Sequence, residues 1–336
     1  MIRKVKFKNG RIHQMLGESG DFAEISDFVE KWNDGSDSIC VHTSGSTGIP
    51  KPIFILKEEM RASARLTGSF FGINRPIVAW HALPMSFIAG KMMVVRALEF
   101  DWDLIWSDAS ANPEIPDVSP EFAAFTPMQF FNLLQNGLEP NFSRITILGG
   151  GEVSEELGER LKGASQGIFS TYGMTETITH VACRPISGKV SEEYQALAGV
   201  SFSQDERGCL VVVADHLSSS PFITNDQVDL LSPTTFVFKG RADRVINSGG
   251  LKIHPEAIER KLQSEFGIEL FVTSKADDEL GQRVVLVIQQ KNEDLQSKIQ
   301  EFLNVELDRK IRPKEIVILE NFKYTHTGKL VKRIIE

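Results

Sequence analysis

A chain of 336 residues that is 41% hydrophobic and 24% charged can bury more than one core, which excludes wholesale disorder. Its formal net charge of −8 argues against a non-specific grip on nucleic acid, which draws on many phosphate-neutralising cations. No signal peptide or membrane-spanning run of about 18 apolar residues is expected, and the odd set Cys40, Cys183 and Cys209 fits a reducing, cytoplasmic setting and no zinc spacing.

Residues 1–36 are polar and mixed, with a helix predicted over 21–32. Residues 38–42 (SICVH) read as a short buried strand. It runs into Thr43-Ser44-Gly45-Ser46-Thr47-Gly48-Ile49-Pro50-Lys51, where glycine, proline and hydroxyl residues exclude both helix and strand. Helix is predicted over 57–72, a strand over 77–83 and a mostly buried helix over 89–98. Prolines at 113, 116 and 120 mark 108–120 as a surface connection. A helix over 126–136 precedes a strand over 145–148, closed by Gly149-Gly150-Gly151. The next helix, 154–162, carries Glu155 and Glu156 in its first turn, as the helix dipole favours. Residues 167–170 then enter Thr171-Tyr172-Gly173-Met174-Thr175-Glu176-Thr177.

This recurrence of strand, glycine turn and helix predicts an α/β fold. The character changes after residue 207. Strands are predicted over 209–214 and 235–239, the latter entering Gly240-Arg241-Ala242-Asp243-Arg244. A new unit begins near 253. Its helix over 255–266 has proline at its start, followed by strands over 269–273 and 283–289, a helix over 295–307 and a strand over 315–319. A large layered α/β domain (1–242) followed by a small α+β domain (243–336) is the expected organisation.

The segment Thr43 to Lys51 is the strongest local signal. Glycines let backbone amides approach an anion, the hydroxyls add donors, and Lys51 adds a mobile cation. Such a loop suits the β- and γ-phosphates of ATP. It is not a Walker A loop, because Gly48 is followed by Ile49. A flexible surface turn is the bland alternative, which the strand before it disfavours.

With four further segments this loop resembles the acyl-adenylate-forming superfamily of acyl-CoA ligases, peptide-synthetase adenylation domains and luciferases. The four are Gly149-Gly150-Gly151-Glu152, residues 170–177, residues 240–252, and Thr325-His326-Thr327-Gly328-Lys329. The resemblance implies an acyl-CoA-synthetase-like fold with a mobile small domain. It also implies ATP, Mg²⁺ and coenzyme A as ligands. Thr43, Ser44, Gly45, Ser46, Thr47, Gly48 and Lys51 would hold the phosphates. Gly150, Gly151, Glu152, Tyr172 and Gly173 would border adenine, with Tyr172 stacking on it. Thr175 would meet the α-phosphate and Glu176 would hold Mg²⁺. Asp226, in Thr224-Asn225-Asp226 where the family has Thr-Gly-Asp, would bind the ribose together with Arg241. Asp243 would be the hinge. Ser248, Gly249, Gly250 and Lys252 would face the pantetheine channel in the second step. Lys329 would be the catalytic lysine, offsetting charge at the α-phosphate.

Taken singly, these residues also fit plainer roles: a helix-start glutamate for Glu176, a turn aspartate for Asp226, a tight turn for Gly249-Gly250, and a surface lysine for Lys329. His42, His81 and His180 are too scattered for a metal and read as structural or pocket-lining.

Residues 83–98 resemble the acyl-site stretch of o-succinylbenzoate-CoA ligases of menaquinone synthesis. Ser86, Phe87, Arg96 and Thr177 would line the acid, with Phe87 where relatives carry a histidine or aromatic gate. Arg96 lies in an otherwise apolar helix and needs a partner there. A second carboxylate on the acid would supply it; snorkelling or a protein carboxylate is the alternative. Only 42 residues precede the phosphate loop, fewer than relatives carry, so residues 1–36 or a second subunit are expected to cover a sheet face. The reaction implied is adenylation of o-succinylbenzoate followed by transfer to coenzyme A. A ligase for another acid, a carrier-protein-loading enzyme and an inactive nucleotide-binding scaffold remain open. The partners expected are small molecules, with no nucleic acid or membrane insertion, and a homodimer stays open.

Overall fold

The computed structural model describes residues 3–17, 22–42, 52–165, 167–289, 293–324 and 330–332. Strands β1 (Arg3–Lys8) and β2 (Arg11–Leu16) form a hairpin turned by Asn9-Gly10. Both turn residues have positive φ, the geometry that makes Asn-Gly the favoured two-residue hairpin turn. Helix α1 (Ala23–Trp32) buries Ile25, Phe28, Val29 and Trp32. Among the described residues, strands β3 (Ser38–His42) and β4 (Pro52–Leu56) pair only with each other. Next come α2 (Lys57–Phe71), β5 (Val78–His81), α3 (Ile88–Phe100), β6 (Asp103–Trp106), β7 (Phe122–Phe125), α4 (Pro127–Gln135), β8 (Ile145–Leu148), α5 (Glu155–Leu161) and β9 (Ile168–Gly173). Six strands follow: β10 (His180–Pro185), β11 (Glu193–Ala196), β12 (Val200–Gln204), β13 (Cys209–Ala214), β14 (Phe222–Ser232) and β15 (Thr235–Arg241). The chain ends with β16 (Ile246–Ser248), β17 (Leu251–Ile253), α6 (Pro255–Phe266), β18 (Leu270–Asp277), β19 (Gly281–Ile288), α7 (Glu293–Glu306) and β20 (Glu315–Ile318).

The large domain is built on one sheet in the order β12-β13-β14-β15-β11-β10-β9-β8-β7-β5-β6-β1-β2. Strands β6, β5, β7, β8 and β9 are parallel, and every other neighbour in the sheet is antiparallel. The parallel strands are short and apolar because helices cover both their faces. Alternation sorts them: Phe122, Ala124, Ile145 and Ile147 pack towards α2 and α3, whereas Trp80, Phe125 and Leu148 pack towards α4 and α5. Helix α4 starts at a capping box of Thr126 and Gln129 with Pro127 in its first turn, and α2 ends on left-handed Gly72.

Two expectations need correction. The strand at 38–42 is one side of a two-stranded ribbon with Cys40 and His42 exposed, so it is only half buried. Strands β1 and β2 lengthen the sheet at its edge, and Val5 and Phe7 of β1 join Phe22 and the buried face of α1 in the core. After β9 there is no helix; residues 174–179 turn directly into antiparallel β10.

The small domain has the sheet order β17-β16-β19-β18, with β20 parallel to β19. Val284, Leu286 and Ile288 of β19 face α6 and α7, while Val285 and Val287 face Phe271 and Phe322. Among the described residues no helix is long and apolar enough to cross a membrane.

Candidate active site

Tyr172 is the penultimate residue of β9, and Asp226 lies on β14, four strand neighbours away. In a flat sheet that separation is about 19 Å. Yet the Tyr172 hydroxyl donates to Asp226 Oδ2 at 2.6 Å. The antiparallel half of the sheet must therefore curl, and Tyr172 crosses its aromatic interior, with ring centroids 5.0 Å from Phe236 and 6.0 Å from Tyr194. Arg241 is the register partner of Asp226 across β14 and β15. It donates to Asp226 Oδ1 at 3.3 Å and clasps Asp243 at 2.9 and 2.8 Å. Thr224 Oγ1 accepts the Asp226 amide at 3.0 Å and donates to the Leu210 carbonyl, which fixes the bend carrying the aspartate. Burial, then Asp226, pushes the Tyr172 phenol above its ordinary pKa, so it stays a donor. The four residues expected at adenine, ribose and hinge thus form one hydrogen-bonded row.

Gly173 follows Tyr172 because nothing larger fits: a Cβ there would lie 2.1 Å from the Thr179 carbonyl. Gly149 likewise leaves room for Thr171, whose hydroxyl donates to Leu148 O at 3.0 Å. Glu176 is exposed, and the Thr175 carbonyl accepts the Ile178 amide at 3.0 Å. Thr177 is buried; its hydroxyl accepts from the Met174 amide and lies 2.9 Å from Thr179 O, so it ties the loop together. Among the described residues no cluster of three or more histidine, cysteine or carboxylate groups could hold a metal alone. Glu176 with phosphate oxygens is a donor set of the kind Mg²⁺ takes, since that ion uses few protein carboxylates.

Arg96 sits on α3 and is 2% exposed. One end of its guanidinium reaches Thr179 Oγ1 at 3.4 Å and the other Met93 Sδ at 4.0 Å; Nε is buried without a hydrogen-bond partner. No ion pair joins Arg96 to a carboxylate among the described residues. Burial lowers its pKa to about 10, which leaves it charged at neutral pH. Ser86 is exposed and Phe87 half buried in the turn before α3. Gly90 packs on that turn, where a Cβ would meet Pro84 O at 2.2 Å.

Residues 5–220 match the family described as AMP-binding enzyme. The chain belongs to this family. An acyl-CoA synthetase (AMP-forming)/AMP-acid ligase II-like protein from Dyadobacter fermentans is 34% identical, with 94% of each chain covered and a TM-score of 0.64. The 2-succinylbenzoate–CoA ligase of Enterococcus faecalis is 25% identical over 98% of this chain and 72% of its own length. For the Escherichia coli enzyme of the same name the identity is 25% over 75% and 58%. The Bacillus subtilis o-succinylbenzoate CoA synthetase bound to its acyl-adenylate shares the fold, with TM-score 0.72 and 18% identity, covering 87% of this chain and 67% of that one. This AMP-binding enzyme is thus a member of the AMP-forming acid–thiol ligase superfamily.

Other predicted positions of the AMP-binding enzyme lie away from the tyrosine row. Gly249 and Gly250 form a two-residue hairpin turn between β16 and β17, both at positive φ. Ser248 beside them is buried and Lys252 exposed. Among the described residues no hydrogen bond or ion pair joins this turn to Tyr172, Asp226 or Arg241. Glu152 meets Arg260 of α6 at 3.8 Å, so it faces the small domain. Thr43 to Lys51 and Lys329 lie outside the described residues; His42 and Pro52, which flank the loop, are register partners.

Sequence reading missed two polar groups. One surrounds Arg96: Ser63 and Thr67 on α2, Thr179, and His180 and Cys183 on β10. The spacing of Ser63 and Thr67, one helical turn apart on the face that also carries Met60 and Ala64, was its only local signal. The other joins Arg244 to Glu256 at 2.8 Å and to Glu259 at 2.6 Å, with Lys332 on Glu259 at 2.7 Å. Burial alone would raise the Glu259 carboxyl, but Lys332 and Arg244 hold it below its usual pKa.

Proposed function

We propose that this chain is an ATP-dependent acyl-CoA ligase whose acid is an aromatic dicarboxylate, with 2-succinylbenzoate as the lead substrate. The observation that carries the choice of acid is Arg96, a buried guanidinium with no carboxylate within ion-pair distance among the described residues. A buried charge left unpaired is costly, so a site that keeps one is built for an anion. The names of the Enterococcus and Escherichia relatives point to the same acid.

The acid's other carboxylate attacks the α-phosphorus of ATP, forming acyl-AMP and releasing pyrophosphate. The thiol of coenzyme A then attacks the acyl carbonyl and AMP departs. Asp226 accepts from the ribose hydroxyls, since a carboxylate that takes one bond on each oxygen still has free lone pairs. Arg241 orients it, and Tyr172 gives adenine an apolar face. Glu152 with Gly150 and Gly151 borders the same end, and Ser86, Phe87 and Thr177 line the acid. Thr43 to Gly48 and Lys51 hold the phosphates, Thr175 meets the α-phosphate, and Glu176 carries Mg²⁺, which supplies charge neutralisation there. Lys329 offsets charge as the carboxylate attacks. Residues 1–242 and 243–336 move relative to one another about Asp243. That role is supported by its position in the short turn between β15 and β16, clasped by Arg241. Rotation brings Ser248, Gly249, Gly250 and Lys252 to the thiol.

Acid-dependent exchange of pyrophosphate into ATP, measured over a panel of acids, tests this reading. Exchange with 2-succinylbenzoate, reduced about a hundredfold or more in Lys329→Ala, is expected. Exchange without a CoA thioester would instead favour loading of a carrier protein. A different preferred acid would move the substrate, and no exchange with any acid would mean a scaffold.

A further inference from the structure

Between Thr177 and Thr179 the backbone makes an unusually tight turn. The Thr179 amide donates to the Thr177 carbonyl at 2.7 Å, and Ile178 between them has φ 66°. A hydrogen bond to the second residue along, closed about a positive-φ residue, is the rare and strained form of γ-turn. A β-branched side chain at such an angle is an outlier. Strain of this kind persists only where surrounding packing over-determines it. Here the packing is visible: Ile178 is 2% exposed within the main core, Thr177 ties the loop to itself, and Gly173 leaves space for the Thr179 carbonyl.

The turn brings the Thr179 side chain to Arg96. Thr179 Oγ1 lies 3.4 Å from an Arg96 terminal nitrogen and 3.0 Å from Ser63 Oγ on α2. The other groups around Arg96 are neutral. The Thr67 hydroxyl donates to Ser63 O at 3.1 Å, so it accepts from His180, whose Nε2 therefore carries the hydrogen. Burial, then Arg96, lowers the His180 pKa to about 3, and burial raises the Cys183 thiol. From α3 itself Met93 Sδ lies 4.0 Å from the other terminal nitrogen. Each terminal nitrogen thus has one partner, and Nε is the guanidinium nitrogen buried with none among the described residues.

We propose that Thr179 is a positioning residue for acid selection: held by the strained turn and by Ser63, its hydroxyl orients the Arg96 guanidinium and leaves Nε–H as the donor for the acid's second carboxylate. This rests on the reading of Arg96 given under Proposed function.

The test compares Thr179→Val, which keeps the shape and removes the hydroxyl, with Thr179→Ser, which restores it. Pyrophosphate exchange is followed with 2-succinylbenzoate and with the analogue lacking the carboxylate that is not activated. Thr179→Val should raise KM for the diacid about tenfold, the worth of one charge-assisted hydrogen bond, and leave the analogue and ATP within twofold. Thr179→Ser should return the diacid KM to near its starting value. Equal changes for diacid and analogue, or a change in kcat alone, would overturn the positioning role. Arg96→Met separates the two layers. If Arg96→Met raises the diacid KM and Thr179→Val does not, only this inference falls. If neither variant moves that KM, or the unaltered chain does not exchange with the diacid, the reading of Arg96 falls with it. Melting temperatures of all variants establish that a rise in KM is not loss of fold.

Discussion

The tyrosine row and the Arg96 pocket are both polar clusters reached from the end of β9, but their charge is balanced differently. In the row, Asp226 is bonded on both oxygens, Arg241 has two carboxylates, and Asp243 is clasped bidentately. In the pocket a buried guanidinium has a hydroxyl at one end, a thioether at the other, and neutral His180 and Cys183 beside it. A self-satisfied row is a preorganised surface that a neutral sugar can share at little cost. An unsatisfied pocket discriminates by charge, because only an anion relieves it. On the proposed function, the contrast separates the part of the site that takes a common nucleotide from the part that selects the acid.

Arg96→Met is the strongest way to break that contrast. It should raise KM for a dicarboxylic acid about a hundredfold with ATP KM unchanged, since removing one member of a buried charge pair costs about 2–5 kcal/mol. At the same time the melting temperature of the ligand-free chain should hold or rise, because a buried charge without a partner does not stabilise the fold. A marked fall in melting temperature would mean that Arg96 has a protein partner after all.

Asp226→Ala should do the reverse. The row loses its shared acceptor, leaving Tyr172 and Arg241 short of a partner, and stability should fall by about 1–3 kcal/mol. ATP KM should rise about tenfold with the acid KM unmoved. Calorimetry and the two KM values check this, and an acid-specific effect would merge the two clusters into one.

The smallest effect concerns protons. His180 in the pocket and His81 at the end of β5 are buried, and burial lowers each to about pKa 3 from 6.5. Both ring nitrogens of His81 are buried without a partner among the described residues. The unfolded chain therefore binds more protons than the folded one between about pH 3 and 6.5. Stability should be fully present above pH 6.5 and fall as pH drops through that window. Its slope should approach two protons per molecule. His81→Leu should flatten the slope by one proton without lowering stability at pH 8. An unchanged slope in pH-dependent denaturant melts would show that His81 is charged or partnered in the fold.

Local order largely determined the elements whose period is local. The helices at 57–71, 127–135 and 255–266 and the strands at 145–148 and 209–214 are readable from caps, a starting proline, glycine stops and apolar runs, because those signals act within one turn or one strand. The strands at 3–16, 180–204 and 222–232 were not readable, since their residues are mixed and their stability comes from neighbours distant in sequence. The motif at 172–177, Asp226, Arg241 and Arg96 were recognisable as residues. That Tyr172 meets Asp226 depends on curling the sheet across four strand neighbours, and that Arg96 has no carboxylate partner among the described residues depends on what β10 and α2 bring against α3. Periodicity and spacing carry no information about closures of that range. They are decided only when the sheet has bent and the helices have packed on it.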